Sequence, residues 1–177
     1  AITVTNSTRV YTFAGAGKLT GSMGLLKLGT NRMVLGNSGG NDFVGGVVVS
    51  NGTLALGNAA GLPIGGQVTV RPGATFDFAG QGNSATRAYT FAVEGTGQGG
   101  AGAINNSGAD IAGNASVSNL TLLADTTFGS AIRWDVGTGA TGLRLLGNGY
   151  TFTKVGAGEI TVRPEFVSNV YAFVINA

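Results

Sequence analysis

Residues 46 to 58 read GVVVSNGTLALGN: the apolar run Val47 to Val49, the turn Ser50-Asn51-Gly52, and a second apolar run, Leu54 to Leu56, before Gly57-Asn58. Valine and leucine suit a pleated, half-buried strand, and Asn-Gly supplies the positive φ of a tight turn. A looser copy follows, with Gln67 to Val70, the turn Arg71-Pro72-Gly73, and Ala74 to Phe78. A strand, a glycine-bearing turn and a strand, recurring after about 21 to 23 residues, form the signature of a repeat architecture.

The same unit extends outward in both directions. Upstream, Leu25 to Leu28 and Arg32 to Leu35 flank Gly29-Thr30-Asn31, and AITVT and RVYTF flank Asn6-Ser7-Thr8. Downstream, strands are expected over Ala88 to Val93, Ala103 to Asn105, Ala109 to Ala112, Ser118 to Ala124, Thr126 to Phe128, Ala131 to Val136, Leu143 to Leu146, Thr151 to Lys154, Glu159 to Val162 and Tyr171 to Ile175. Turns are expected at Asn58 to Gly66, to which Pro63 is confined, and at Ala79 to Ala85, Gly95 to Gly102 and Gly137 to Gly142. The Gly/Asn-rich segment Gly36 to Asp42 favours turns and positive φ, and is expected to bulge from the body.

Repeated tripeptides suggest a phase. LGN begins at Leu35, Leu56 and Leu146, TVRP at Thr69 and Thr161, and YTF at Tyr11, Tyr89 and Tyr150. These spacings fit roughly eight rungs of about 22 residues. The expected fold is a single-stranded parallel β-helix over 1–177, a single domain and a segment of a longer array. An antiparallel β-sandwich is the alternative, since it too shows strands every 8–12 residues. The tripeptides favour the solenoid.

Composition agrees. Glycine is 33 of 177 residues, hydrophobic residues are 43% and charged residues only 10%, the reverse of a disordered chain. Net charge is +2 with no run of like charge, so a nucleic-acid footprint is poorly supported. There is no cysteine, hence no disulfide or thiolate metal site, and no histidine, the commonest general base and metal ligand.

Motifs with a chemical reading are weak. Gly36-Asn37-Ser38-Gly39-Gly40 fits G-x-S-x-G but lacks a histidine partner. Gly97 to Gly102 and Gly137 to Gly142 fit G-x-G-x-x-G, yet no helix follows to hold a phosphate. Gly39-Gly40-Asn41-Asp42 is a faint calcium-roll match without the repeating aspartates. The eight acids are scattered and do not align in rung phase. Arg133-Trp134-Asp135 invites a sugar-stacking reading, though a Trp that closes a corner or caps a ladder is favoured. Asn6, Asn51, Asn105, Asn114 and Asn119 head N-x-S/T sequons, which are expected by chance in Thr/Asn-rich strands. No catalytic, cofactor-binding or metal-binding residue is assigned, no cofactor is expected, and the chain is read as not an enzyme.

Gly24-Leu25-Leu26-Lys27-Leu28-Gly29 through Val34-Leu35, then Gly45-Gly46-Val47-Val48-Val49 and Gly52-Thr53-Leu54-Ala55-Leu56-Gly57, resemble the autotransporter-associated β-strand repeat, also called the passenger-associated transport repeat. Lys154-Val155-Gly156-Ala157-Gly158-Glu159-Ile160-Thr161-Val162 matches the opening of a second copy. Asn31 and Val47 depart from the glycine and threonine usual at those places. The resemblance implies a right-handed parallel β-helix on a bacterial surface or secreted, with no shared catalytic residues. The expected function is an extracellular structural stalk, spacer or filament subunit. Its expected partners are copies of itself or adjoining repeats, stacked end to end where uncapped strand edges are exposed. An adhesin-type module that binds glycans or matrix is the alternative, favoured if Gly36 to Asp42 protrudes with Phe43 and Arg32 nearby. A polysaccharide-acting enzyme trails. Neither nucleic acid nor membrane insertion is expected.

Overall fold

The computed structural model describes residues 1–82, 87–112, 117–137 and 142–176. Its seventeen strands follow the chain as β1 (Ile2–Val4), β2 (Tyr11–Phe13), β3 (Leu25–Lys27), β4 (Arg32–Leu35), β5 (Val47–Val49), β6 (Gly52–Leu56), β7 (Gln67–Val70), β8 (Ala74–Asp77), β9 (Tyr89–Gly95), β10 (Ile104–Asn106), β11 (Val117–Ser130), β12 (Trp134–Val136), β13 (Leu143–Leu146), β14 (Thr151–Val155), β15 (Ile160–Val162), β16 (Pro164–Ser168) and β17 (Ala172–Ile175). Among the described residues the only helix is a single 3-10 turn at Gln98–Gly100. None is long and apolar enough to cross a membrane among the described residues.

Every pairing between strands is parallel. One wall stacks β1, β3, β5, β7, β9, the first half of β11, β13 and β16; a second stacks β2, β4, β6, β8, β10, the second half of β11, β14 and β17. The chain is therefore a β-solenoid of eight strand levels and about seven turns. A hairpin or sandwich would pair consecutive strands, whereas here each strand pairs with the one a full turn later. The turn length varies: Met33 pairs with Leu54, 21 residues on, and Phe91 with Leu120, 29 residues on.

The core follows from alternation. On the first wall Leu25, Val47, Val68, Phe91, Leu120 and Leu145 point inward, each above the last, and on the second Met33, Leu54, Phe76, Ile104 and Phe128 do the same. All of these are buried. Stacking like on like fills each level only when a neighbour covers it, so the stability is a property of adjacent rungs rather than of one. From the fourth level onward the rings form a connected spine: Phe91, Phe76 and Phe78 lie within 5.1–5.9 Å of one another, then Trp134, Phe128, Phe152 and Phe173 follow at 4.7–5.6 Å between centroids.

The corners need glycine where backbones touch. A Cβ on Gly29 would sit 2.0 Å from the carbonyl oxygen of Asn6 one turn earlier, and a Cβ on Gly52 would sit 2.4 Å from the carbonyl of Gly29; Gly52 also has φ +68. The column Asn6, Gly29, Gly52 is thus built of main chain in contact with main chain.

Four expectations change. First, Gly36 to Asp42 does not bulge. It folds as part of a third wall against the neighbouring turns, with Ser38 and Asp42 donating their N–H groups to Gly15 and Leu19 (2.9 and 3.0 Å) and Asn41 to Ala60 (3.2 Å). The buried amides of Asn37 and Asn41 clasp each other, and Asn41 Nδ2 reaches the Gly61 carbonyl at 2.7 Å. Second, only Leu35 and Leu56 of the repeated tripeptides stack. Leu146 lies on the other wall, Thr69 is on the first wall while Thr161 is on the third, and Tyr89 is on the first wall while Tyr11 is on the second. The phase is kept by side-chain class, not by identity. Third, Ser118 to Phe128 is one strand, not two: β11 crosses from the first wall to the second with an irregularity between Leu122 and Thr126. Fourth, Ala109 to Ala112 gives only the bridge Ile111–Trp134, while β16 forms where no strand was expected. Of the expected turns, residues 83–85 and 138–141 lie outside the described residues.

Candidate functional site

Three places gather polar or open features: a network on the outer face of the second wall, a groove beside the third wall, and the two end faces.

The network centres on Asp77, which projects outward from β8 yet is buried. Arg32 Nη1 meets its Oδ2 at 2.7 Å, the Ser107 hydroxyl donates to the same oxygen at 2.5 Å, and the N–H groups of Ala79 and Ser107 donate to Oδ1 at 2.9 and 3.0 Å. Arg32 stands two levels below Asp77, so its side chain spans the intervening strand, whose Ala55 is fully buried. Beside it Gln98, on the 3-10 turn, donates to the Thr30 carbonyl at 2.7 Å and accepts from the Thr53 hydroxyl at 2.7 Å. These contacts clamp successive rungs. They leave Arg32 engaged and Phe43 buried, so neither forms the protruding ligand surface that an adhesin reading expected.

A second clamp joins the third wall. The carboxylate of Asp135 is buried between Arg133 (3.1 Å) and Arg163 (2.7 Å), on adjacent levels of the sheet that pairs β12 with β15. Asp135 holds the Arg133 guanidinium above its ordinary pKa. Trp134 is fully buried, its ring stacked on Phe128 at 5.5 Å and 18°, and next to Phe78. It belongs to the core spine and is closed to sugars.

Lys27 is the one buried lysine. It occupies the inward row that otherwise runs Val4, Val49, Val70 and Val93. Its ammonium donates to the carbonyl of Gly29, two residues on, and to that of Asn51 on the next level at 3.3 Å. Burial pushes it below the usual lysine pKa. Lys154 does the same at the other Lys-x-Gly sequence, donating to the carbonyl of Gly156. In both places the lysine caps the corner that its own glycine makes.

The remaining motifs are structural. Ser38 is exposed and lies against the Gly15 carbonyl. Gly97 to Gly102 makes the 3-10 turn with positive φ at Gly97, Gly99, Gly100 and Gly102. Most of Gly137 to Gly142, and Asn114, lie outside the described residues. Asn6 is buried, its amide donating to the Arg9 and Arg32 carbonyls at 2.8 Å each. Among the described residues no three His, Cys, Asp or Glu side chains gather as metal ligands.

The groove has a volume of about 450 Å³ and lies between the segments 40–47 and 63–67, with Arg87 at one side. Asp42 and Gln67 line it, together with the exposed Val44 and Ile64. Lys18 pairs with Asp42 at 2.6 Å and holds its carboxyl below the usual range. Arg87 donates to the Leu62 carbonyl at 2.9 Å.

The end faces are apolar. Val10 and Tyr11 are exposed on the first level, and Phe166, Tyr171, Phe173 and Ile175 on the last. Beside the last level a cavity of about 390 Å³ opens between β14, β15 and β17. Comparison with family models, with curated proteins and with solved structures finds no match.

Proposed function

We propose that the chain is an extracellular structural β-solenoid, a stalk, spacer or filament subunit, that works by rung-on-rung stacking with adjoining repeats or further copies. One observation carries the reading: the buried ladders and the aromatic spine run into an end face where Phe173 and Ile175 are exposed and a largely apolar cavity opens. A ladder gains from every further level laid on it, because each added strand buries the apolar row beneath and satisfies a free strand edge. The polar groups elsewhere are spent on clamps: Asp77, Asp135, Gln98 and Lys27 all bind neighbouring levels to each other. The reading assigns them no catalysis. The surface or secreted placement rests on the resemblance to the autotransporter-associated repeat.

Sedimentation velocity over a hundredfold range of concentration tests the proposal. The expected result is a weight-average coefficient that climbs with concentration. A single monomer coefficient throughout would overturn stacking between copies and leave only stacking on adjoining repeats.

The groove beside the third wall favours a second reading, an adhesin-type module. Arg87, Asp42 and Gln67 at its edges are the groups a hydroxyl-rich ligand would use. Binding to a glycan array that disappears in Arg87→Ala would support this reading, and a blank array would dismiss it.

A further inference from the structure

We infer that Asn51 is a site of self-modification: in the folded chain its side-chain amide is lost to attack by the Gly52 nitrogen, and the corner it forms becomes isoaspartyl. The site lies on the third level, away from the end faces, so the inference does not depend on the stacking reading.

Asn-Gly occurs twice in the sequence, at Asn51-Gly52 and Asn148-Gly149. The dipeptide is chemically labile because glycine leaves the amide nitrogen unhindered, and that nitrogen closes a five-membered ring on the asparagine side chain. Both asparagines are exposed. The fold treats them differently.

At Asn51 the reacting groups face each other. The Gly52 N–H donates to Asn51 Oδ1 at 2.7 Å, which brings the nitrogen beside Cγ, the atom bonded to that oxygen. A turn of the exposed carboxamide about its Cβ–Cγ bond then presents the carbon to the nitrogen, close to an attack geometry. At Asn148 both groups are held elsewhere. The Gly149 N–H donates to the Asn169 carbonyl at 2.6 Å, and Asn148 Nδ2 donates to the Leu122 carbonyl at 2.9 Å. Freeing two hydrogen bonds slows the step by about tenfold or more. Asn31, on the level below Asn51, is a natural control for the glycine. The Arg32 N–H donates to Asn31 Oδ1 at the same 2.7 Å, but this nitrogen carries an arginine, whose guanidinium is fixed to Asp77.

The step balances within the chain and water. The Gly52 nitrogen bonds Asn51 Cγ, the Cγ–Nδ2 bond breaks, and Nδ2 leaves as ammonia with the proton from Gly52. Water then opens the succinimide at one of its two carbonyls, and Lys27 biases which. Its ammonium, held at the corner by the Gly29 carbonyl, also donates to the main-chain carbonyl of Asn51 at 3.3 Å. A donor aimed at that oxygen stabilises the charge that develops as water adds to its carbon. Opening there leaves the former main-chain carbonyl as a carboxylate against Lys27 and routes the chain through Cβ. The product is isoaspartate, with one more main-chain atom at a corner where main chain already packs against main chain.

The test ages the natural chain for weeks in warm, mildly alkaline buffer, folded and, in parallel, unfolded in urea. Peptide mapping by mass spectrometry reads conversion at each asparagine, and fragmentation separates aspartate from isoaspartate. The expected result in the folded chain is conversion at Asn51 about tenfold or more faster than at Asn148 and Asn31, with Asn51 and Asn148 converting at similar rates in urea. Equal or faster conversion at Asn148 in the folded chain would overturn the site, and so would an Asn51 that stays intact when folded but converts in urea. The isoaspartate-to-aspartate ratio at position 51 should be about threefold or more higher in the folded chain than in urea, and Lys27→Met, checked for folding by far-UV circular dichroism, should remove that excess. A ratio that is the same folded and unfolded would overturn the part assigned to Lys27.

Discussion

Replacing Phe76 with alanine probes the ladder where it is most enclosed. Phe76 is fully buried at the fourth level, between Leu54 below and Ile104 above, with the rings of Phe78 and Phe91 each 5.1 Å away. Truncation removes the transfer energy of the ring and leaves a cavity that strands clamped on both sides cannot close, a loss of about 3–5 kcal/mol. The edge-on contacts with Phe78 and Phe91 go with it and are part of that sum. Phe76→Leu, which copies its neighbour Leu54, should cost only about 1–2 kcal/mol. Phe173→Ala is the control. It occupies the same spine at the last level but is half exposed and meets one ring, Phe152, at 5.6 Å, so its loss should stay below about 1.5 kcal/mol. Urea titrations followed by circular dichroism, with Trp134 fluorescence as a second probe, give all three values. A cost under about 1.5 kcal/mol for Phe76→Ala, or an equal cost at both positions, would refute enclosure by neighbouring rungs as the source of stability.

Asp77→Ala should cost about 3–5 kcal/mol, since it leaves the Arg32 guanidinium and the Ala79 and Ser107 N–H groups without their acceptor. A double-mutant cycle with Arg32→Ala should show coupling above about 1 kcal/mol, and additive effects would count against the clamp. Gly52→Ala should lose at least about 2 kcal/mol from its positive φ and its contact with Gly29, whereas Gly99→Ala, with φ +61 but open space, should lose about 1 kcal/mol; thermal melts separate them. Tyr89 gives a pH signature. Burial pushes its phenol up to about 12. Above its unfolded value near 10 only the unfolded chain ionises, so stability is full below pH 10 and falls as pH rises toward 12, by a few kcal/mol at most. Denaturation at pH 8 and pH 11 should show roughly half of this loss in the natural chain and much less of it in Tyr89→Phe.

The strand units and their parallel stacking were legible because two signals agree at Val47 to Leu56: alternating aliphatic residues, and an Asn-Gly turn at the corner. The phase was legible at Leu35 and Leu56, which do stack, but chance copies of the same short strings fall on other walls at Leu146, Thr161 and Tyr89. Small vocabularies of Gly, Thr, Val and Asn repeat tripeptides without repeating positions. The third wall was hidden for a different reason. Asn37 and Asn41 carry the composition of a solvated loop, and nothing local reveals that their amides meet each other and the neighbouring turns. β16 was missed because Pro164 and Glu165 look like a turn, although a proline at the first position of a strand needs no ladder hydrogen bond there. The clamps were invisible as pairs: Arg32 and Asp77 are 45 residues apart and meet only once the rungs are stacked. Lys27 was noted only as a motif residue, although the alternation Leu25-Leu26-Lys27 already put it on the inward side.

Electron microscopy of the purified chain at rising concentration tests the central claim most directly. End-stacked solenoids predict unbranched filaments of one rod width, with an axial repeat of about 4.8 Å between strands. Short rods of constant length at every concentration would contradict assembly through the open ends.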